Sequence, residues 1–195
     1  MSNIIITPIG RVSYPNLLRP KQNSFNGDVL YSVDLLFPKN KNQAECVLNP
    51  LRNLIEKAVK EKWPKTPGFI QLPIKDGDGL KPKAGTPYDE AYHGCWFITL
   101  KNKIKPQVVD QNVKAIQNEE DLYGGCYGRA TLSIYAYDNK GNKGVSLSLN
   151  NFQKTGDGER FSGQRTLAEE DFSAISSEAD NPANYTNAQN KSIWG

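Results

Sequence analysis

The sequence predicts a mainly β fold with one or two helices, long loops and an acidic C-terminal tail. Three observations carry that reading. Residues 29–37 and 126–137 alternate apolar and polar side chains with the period of two that a half-buried strand requires. The 195 residues include Gly 16 and Pro 12, so turns cut the chain often. Only one stretch, after Asn49, repeats apolar residues at helical spacing. Hydrophobic residues make up 37%, enough for one sizeable core, which gives a domain over 1–165 and a tail over 166–195.

In chain order, Ile4 to Tyr14 starts as strand around Pro8 and Gly10, and Lys21 to Asp28 is a polar loop. In the next strand Val29, Tyr31, Val33, Leu35 and Phe37 share one face, and Pro38 ends it. Asn49 is placed to cap a helix and Pro50 to take its first position. Leu51, Leu54, Ile55, Ala58 and Val59 then line one face, and Trp63-Pro64 closes the helix. A shorter helical piece over Gln43 to Leu48 precedes it, and Trp63 reads as core. Thr66 to Tyr92 lacks periodicity and reads as a long ordered loop or an inserted hairpin. Its Lys75-Asp76-Gly77-Asp78-Gly79 stretch lacks the later Glu of a calcium loop and reads as an Asp-Gly turn. Trp96 to Leu100 is a strand, Gln107 to Val109 a short extended piece, and Val113 to Asp121 a loop or helical turn. The clearest hairpin runs from Cys126 to Tyr137, turns over Asp138 to Lys143, and returns over Gly144 to Lys154.

Charge is unevenly spread. Residues 166–195 hold Glu169, Glu170, Asp171, Glu178 and Asp180 against Lys191, a balance of −4, which leaves 23 bases and 16 acids, +7, in the first 165 residues. A basic body with an acidic tail suggests a polyanionic partner and a segment that competes with it. The N-terminus lacks the basic start and apolar run of a signal peptide, and no apolar run has the length of a membrane helix. A protein of the cytoplasm is expected. Cys46, Cys95 and Cys126 are odd in number and far apart, so thiols are expected rather than a disulfide framework. The same separations argue against a zinc site built from them with His93, and no metal or cofactor is expected.

The strand over 126–137 is the most informative. Cys126, Gly128, Ala130, Leu132, Ile134 and Ala136 fall on one face, small and apolar. Tyr127, Arg129, Thr131, Ser133, Tyr135 and Tyr137 fall on the other. Tyrosines beside an arginine suit base stacking with backbone pairing, although packing against another layer suits them as well. Cations flank the strands: Lys101, Lys103 and Lys105; Lys140 and Lys143; Lys154, Arg160 and Arg165. Arg11, Tyr14, Trp96 and Phe152 complete the candidate set, and Glu169, Glu170, Asp171 and Phe172 form a candidate regulatory cluster in the tail. Catalytic signals are poor, with one histidine and no GxxxxGK[ST] or GxSxG motif, so no enzyme is expected. A nuclease using Asp76, Asp78 and Asp110, or a structural or assembly protein whose tyrosine face binds protein, are the alternative readings.

Several ordered segments resemble one family. These are Arg11-Val12-Ser13-Tyr14-Pro15-Asn16-Leu17, residues 31–39, Lys75-Asp76-Gly77-Asp78, residues 105–110, Gly125-Cys126-Tyr127-Gly128-Arg129-Ala130, residues 135–151 and Ala168-Glu169-Glu170-Asp171-Phe172. Over roughly residues 5–172 the chain resembles phage single-stranded-DNA-binding proteins, which are similar to the OB-fold binding proteins of podovirus replisomes. The resemblance implies a five-stranded OB-like barrel with a helix between strands. It also implies single-stranded DNA as partner in phage replication or recombination, contact with other replication proteins, and no catalysis. One departure is the end, Ser192-Ile193-Trp194-Gly195, where the acids sit well back from a hydrophobic tip.

Overall fold

The computed structural model describes residues 5–22, 27–39, 44–65, 67–82, 84–139 and 141–161, with the side chains of 44–46 excepted. The chain divides into two units, Met1–Ser162 and Gly163–Gly195. Every described residue lies in the first, so Arg165 and the expected tail fall outside the described residues, as does Lys140.

Among the described residues, eight strands and one helix follow each other in the order β1 (Ile5–Ile6), β2 (Gly10–Gln22), β3 (Val29–Pro38), α1 (Ala44–Lys62), β4 (Ile74–Asp76), β5 (Cys95–Asn102), β6 (Gln107–Val109), β7 (Tyr127–Asn139) and β8 (Asn142–Gly156). β2 pairs antiparallel with β3, β3 with β5 and β7 with β8. β5 pairs parallel with β8, and β7 pairs antiparallel with β2, so five strands close into a ring in the order β2-β3-β5-β8-β7. Closure leaves the five main strands without a long free edge. β1 adds to β7, β4 to β5 and β6 to β8.

Alternation fills the ring. Val33, Leu35 and Phe37 of β3, Ile98 and Leu100 of β5, Ala130 and Leu132 of β7, and Val145, Leu147 and Leu149 of β8 are all buried in one cluster. Leu48, Leu51 and Ile55 of α1 join it. That stripe explains a departure from the sequence reading: Asn49 does not cap, and one helix runs through Pro50 from Ala44. A proline inside a helix costs about 3 kcal/mol, and burying Leu48 in register with Leu51 and Ile55 offsets it. Lys60 and Lys62 sit in the last turn, where the helix dipole favours cations, and Trp63 is buried just beyond.

The β7–β8 hairpin is tighter than expected. Asn139 pairs with Asn142 at the end of the ladder, and Gly141 takes a φ of 86° that a side chain would resist. The segment expected as loop or hairpin over 66–92 contains β4, a bridge between Leu80 and Pro87, and a 3-10 turn at Glu90–Tyr92. Its Asp-Gly turn carries an internal cation: Lys39 Nζ binds Asp76 and lies 2.8 Å from Asp78, and the Asp78 carboxylate accepts from the Gly94 N–H at 2.8 Å. Among the described residues no helix is long and apolar enough to cross a membrane.

Candidate nucleic-acid interface

In a five-stranded ring of this order, the outer face of the second and third strands is the usual place for an oligonucleotide, between the 1–2 and 4–5 loops. Here those strands are β3 and β5. Register sets one row of outward side chains across five strands: Lys75 opposite Phe97, Phe97 opposite Leu36, Leu36 opposite Arg11, and Arg11 opposite Tyr127. The next row is Thr99, Asp34 and Ser13, followed by Lys101 opposite Ser32.

An aromatic group stands on this face. Tyr92 and Phe97 meet edge-on with centroids 4.8 Å apart, Tyr88 meets Phe97 edge-on at 4.9 Å, and Tyr88 stacks on Tyr92 at 5.7 Å. Lys75 and Lys81 lie 5.4 and 5.9 Å from the rings of Phe97 and Tyr88, and these contacts keep flexible cations beside aromatic surface. Beneath the rings, the Tyr92 hydroxyl donates to Asp34 at 2.6 Å. Burial pushes the Asp34 carboxyl up, against the hydrogen bonds from Tyr92 and Thr99 and the nearby Lys75 and Lys101. Burial likewise lowers the Lys75 ammonium, and burial and then Asp34 raise the Tyr92 hydroxyl. Tyr14, whose backbone has a positive φ of 45°, is exposed and donates to Asp89, which raises it and lowers the Asp89 carboxyl.

A second group surrounds Arg11. Its guanidinium lies 4.4 Å from the Phe161 ring centroid and 5.8 Å from that of Tyr127, and it donates to the carbonyls of Glu159 at 2.6 Å and Gly125 at 3.3 Å. Nearby, Arg160 lies 4.0 Å from the Tyr123 ring, and Lys154 pairs with Asp157 at 2.7 Å. Asp157 also accepts from the Tyr123 hydroxyl at 2.8 Å, and these partners hold its carboxyl low.

The structure therefore sorts the predicted residues. Arg11 and Tyr127 share the transverse row, and Lys101 stands exposed on the same outer face. Lys103 pairs with Asp28 at 2.8 Å and Lys105 is exposed after β5. Tyr135 is exposed further along β7, and Arg129 donates to Gln153 at 2.9 Å across to β8. Tyr137 is half-buried over Gly144 and donates to Gln71 at 2.9 Å, while Lys143 lies 3.5 Å from Asp138. Two positions need correction. Phe152 is 1% exposed and belongs to the core, because a bulge in β8 turns it inward. Trp96 follows the inward phase of Ile98 and Leu100; it packs on the main core and lines an apolar cavity of about 560 Å³ between α1 and residues 67–74. Its neighbour Phe97 points away from the ring interior but is 1% exposed, covered by Tyr88 and Tyr92. Glu169, Glu170, Asp171 and Phe172 lie outside the described residues.

Sequence reasoning missed Lys75, Tyr88, Tyr92, Phe97, Tyr123 and Phe161. One signal was available: Tyr88 and Tyr92 stand four residues apart in a segment otherwise polar. Asp76, Asp78 and Asp110 do not converge on a metal. The first two bind Lys39, and Asp110 accepts from the N–H groups of Asn112 and Lys114, each at 2.8 Å.

Known proteins share both the sequence pattern and the ring. The family model described as Enterobacter phage Enc34, ssDNA-binding protein, matches residues 3–183. Putative protein p50 of Acyrthosiphon pisum secondary endosymbiont phage 1 is 31% identical over 177 residues, 85% of this chain and 90% of that protein. The solved structure of the single-stranded DNA-binding protein from bacteriophage Enc34 in complex with ssDNA gives a TM-score of 0.68 at 25% identity, over 82% of this chain and 90% of that one. The structure of gp2.5, a single-stranded DNA binding protein encoded by bacteriophage T7, shares the fold with a TM-score of 0.55 at 18% identity, over 85% of this chain and 98% of that one.

Proposed function

The chain belongs to the Enc34 family of phage ssDNA-binding proteins, and from that premise we propose that it binds single-stranded DNA along the outer face of β3 and β5. Its role is to hold single strands during phage DNA replication in the infected host. It makes and breaks no bond.

The observation that carries the choice of face is its accessible rim of cations and rings: Arg11 opposite the exposed Tyr127, with Lys75, Lys81, Lys101, Tyr14 and Tyr88 around a packed centre of Leu36, Tyr92 and Phe97. Aromatic faces accept any base, so stacking is sequence-tolerant, and lysines beside them meet phosphates. Arg129 and Tyr135, on the outer side of β7, would continue the track beyond Tyr127. From charge alone, residues 166–195 at −4 compete with DNA for the +7 body. The assembly-protein reading is not favoured, since the matched relatives with a stated activity are DNA-binding proteins.

The experiment is a fluorescence titration with oligo-dT at about 50 and 200 mM salt, where backbone contacts make affinity fall steeply. A flat salt response, or no binding at the lower salt, would remove this reading.

A further inference from the structure

Past Leu36, toward Pro38 and Cys95, the outer face opens into a cavity of about 360 Å³. Phe161 and Leu36 give it apolar surface, Arg11 and Arg160 positive charge, and the acidic Glu90 and Glu159, with His93 and Cys95, complete the polar lining. The rim is built from fixed parts. Phe161 packs on the Leu36–Tyr92–Phe97 cluster, and its N–H donates to the Gly124 carbonyl at 3.0 Å. Arg11 is stacked on Phe161 and tied to two backbone carbonyls. Arg160 is held by the ring of Tyr123.

Size and lining narrow the ligand. The volume lies near the lower end of small-ligand sites, which start at about 300 Å³. Two acidic residues in the lining oppose a bare phosphate, and two arginines oppose a purely apolar guest. A neutral, planar heterocycle that both donates and accepts along its edge satisfies the whole set, with its phosphate left outside beside a cation.

We propose that this cavity takes one nucleobase, splayed from the bound strand and stacked against the Phe161–Arg11 pair, with the adjoining phosphate at Arg160. The inference rests on the single-stranded-DNA reading and adds a defined base pocket to an otherwise open face. Splaying a base is cheapest in a strand that is already single, because no partner is lost. Arg11 thus serves both sites: it belongs to the transverse row and forms one side of the pocket.

The test uses the full chain and a short oligo-dT carrying one 5-iodouracil, cross-linked by light and mapped by mass spectrometry. The expected result is a cross-link on Phe161. In parallel, Phe161→Ala should weaken oligo-dT binding by roughly 5- to 100-fold, the effect of one lost stack. The slope of affinity against salt should stay unchanged, because no phosphate contact is removed. Cross-links only elsewhere, with Phe161→Ala binding like the parent, overturn the pocket and leave DNA binding itself standing. A lower salt slope in the variant also overturns it, since the rim would then be a phosphate site. If the parent chain binds no oligo-dT at low salt, both readings fall together. Should Phe161→Ala not fold, the cross-link on the parent chain decides alone.

Discussion

The hydroxyl of Tyr92 donates to the carboxylate of Asp34 at 2.6 Å, in the middle of the face proposed for DNA. A half-buried acid there is an electrostatic cost twice over: it is partly desolvated, and it would face the polyanion proposed to bind this face. Thr99 also bonds it, and Lys75 and Lys101 face it across the row. Burial is the largest influence, so its pKa in the fold lies above the unfolded value of about 4. The sign follows from linkage. The folded state holds the proton more tightly, so the favourable contribution is full below the unfolded pKa and is lost as pH rises through the folded pKa. Asp34→Asn keeps an acceptor for Tyr92 and removes the charge. Its melting temperature, relative to the parent, should be higher at about pH 8 than at about pH 5. The opposite trend in paired thermal melts would mean that Lys75 and Lys101 stabilise the ionised carboxylate.

The same substitution should tighten oligo-dT binding, most at low salt, because one negative charge leaves the phosphate path. Lys101→Gln should do the reverse and lower the salt slope by about one. Titrations of both variants across a salt series measure this. If neither changes affinity or slope, the strand does not cross the β3–β5 face.

Tyr127 and Tyr137 should part company. Tyr127 is exposed and lies opposite Arg11, so Tyr127→Ala should cost about 1–3 kcal/mol of binding with little change in melting. Tyr137 covers Gly144 and donates to Gln71, so Tyr137→Ala should lower the melting temperature and leave affinity near that of the parent. Equal binding losses in both would restore the tyrosine row of β7 as one stacking platform.

What was legible in the sequence follows from period-two alternation. It identified β3 and β7, the inward and outward faces of β7, and the partnership of β7 with β8. Alternation also contained the correct phase of β5, in which Trp96 points with Ile98 and Leu100 while Phe97 points away. It failed where register slips. β8 alternates through Val145, Leu147 and Leu149, then a shift between Thr131 and Leu132 of the partner strand leaves Asn150 and Asn151 both exposed and returns Phe152 to the core. No local pattern announces such a slip. Long-range placement was hidden too: Tyr88, Tyr92 and Phe161 reach the face from segments without periodicity, and tertiary packing carried α1 through Pro50. Arg11 was legible only as one cation among many, since its partners Gly125 and Glu159 are distant in sequence.

The inward turn of Phe152 has a measurable consequence for stability. Its ring fills the space above Gly128, where the Cβ of any other residue would sit 2.2 Å from the ring. Gly128 is therefore a close-approach glycine on β7, beside the bulged stretch of β8. Gly128→Ala forces the ring or the strand to move, an overpacking cost of about 1–3 kcal/mol. Phe152→Ala opens a cavity instead and should cost about 3–5 kcal/mol. Because the two residues share one volume, the double variant should be less unstable than the sum of the single effects, as the new methyl enters the vacated space. Denaturant unfolding of the four proteins measures the coupling. Oligo-dT affinity, taken per folded molecule, should stay close to the parent in all of them. An additive cycle, or a large binding loss in Phe152→Ala with unchanged stability, would return Phe152 to the set of residues that touch DNA.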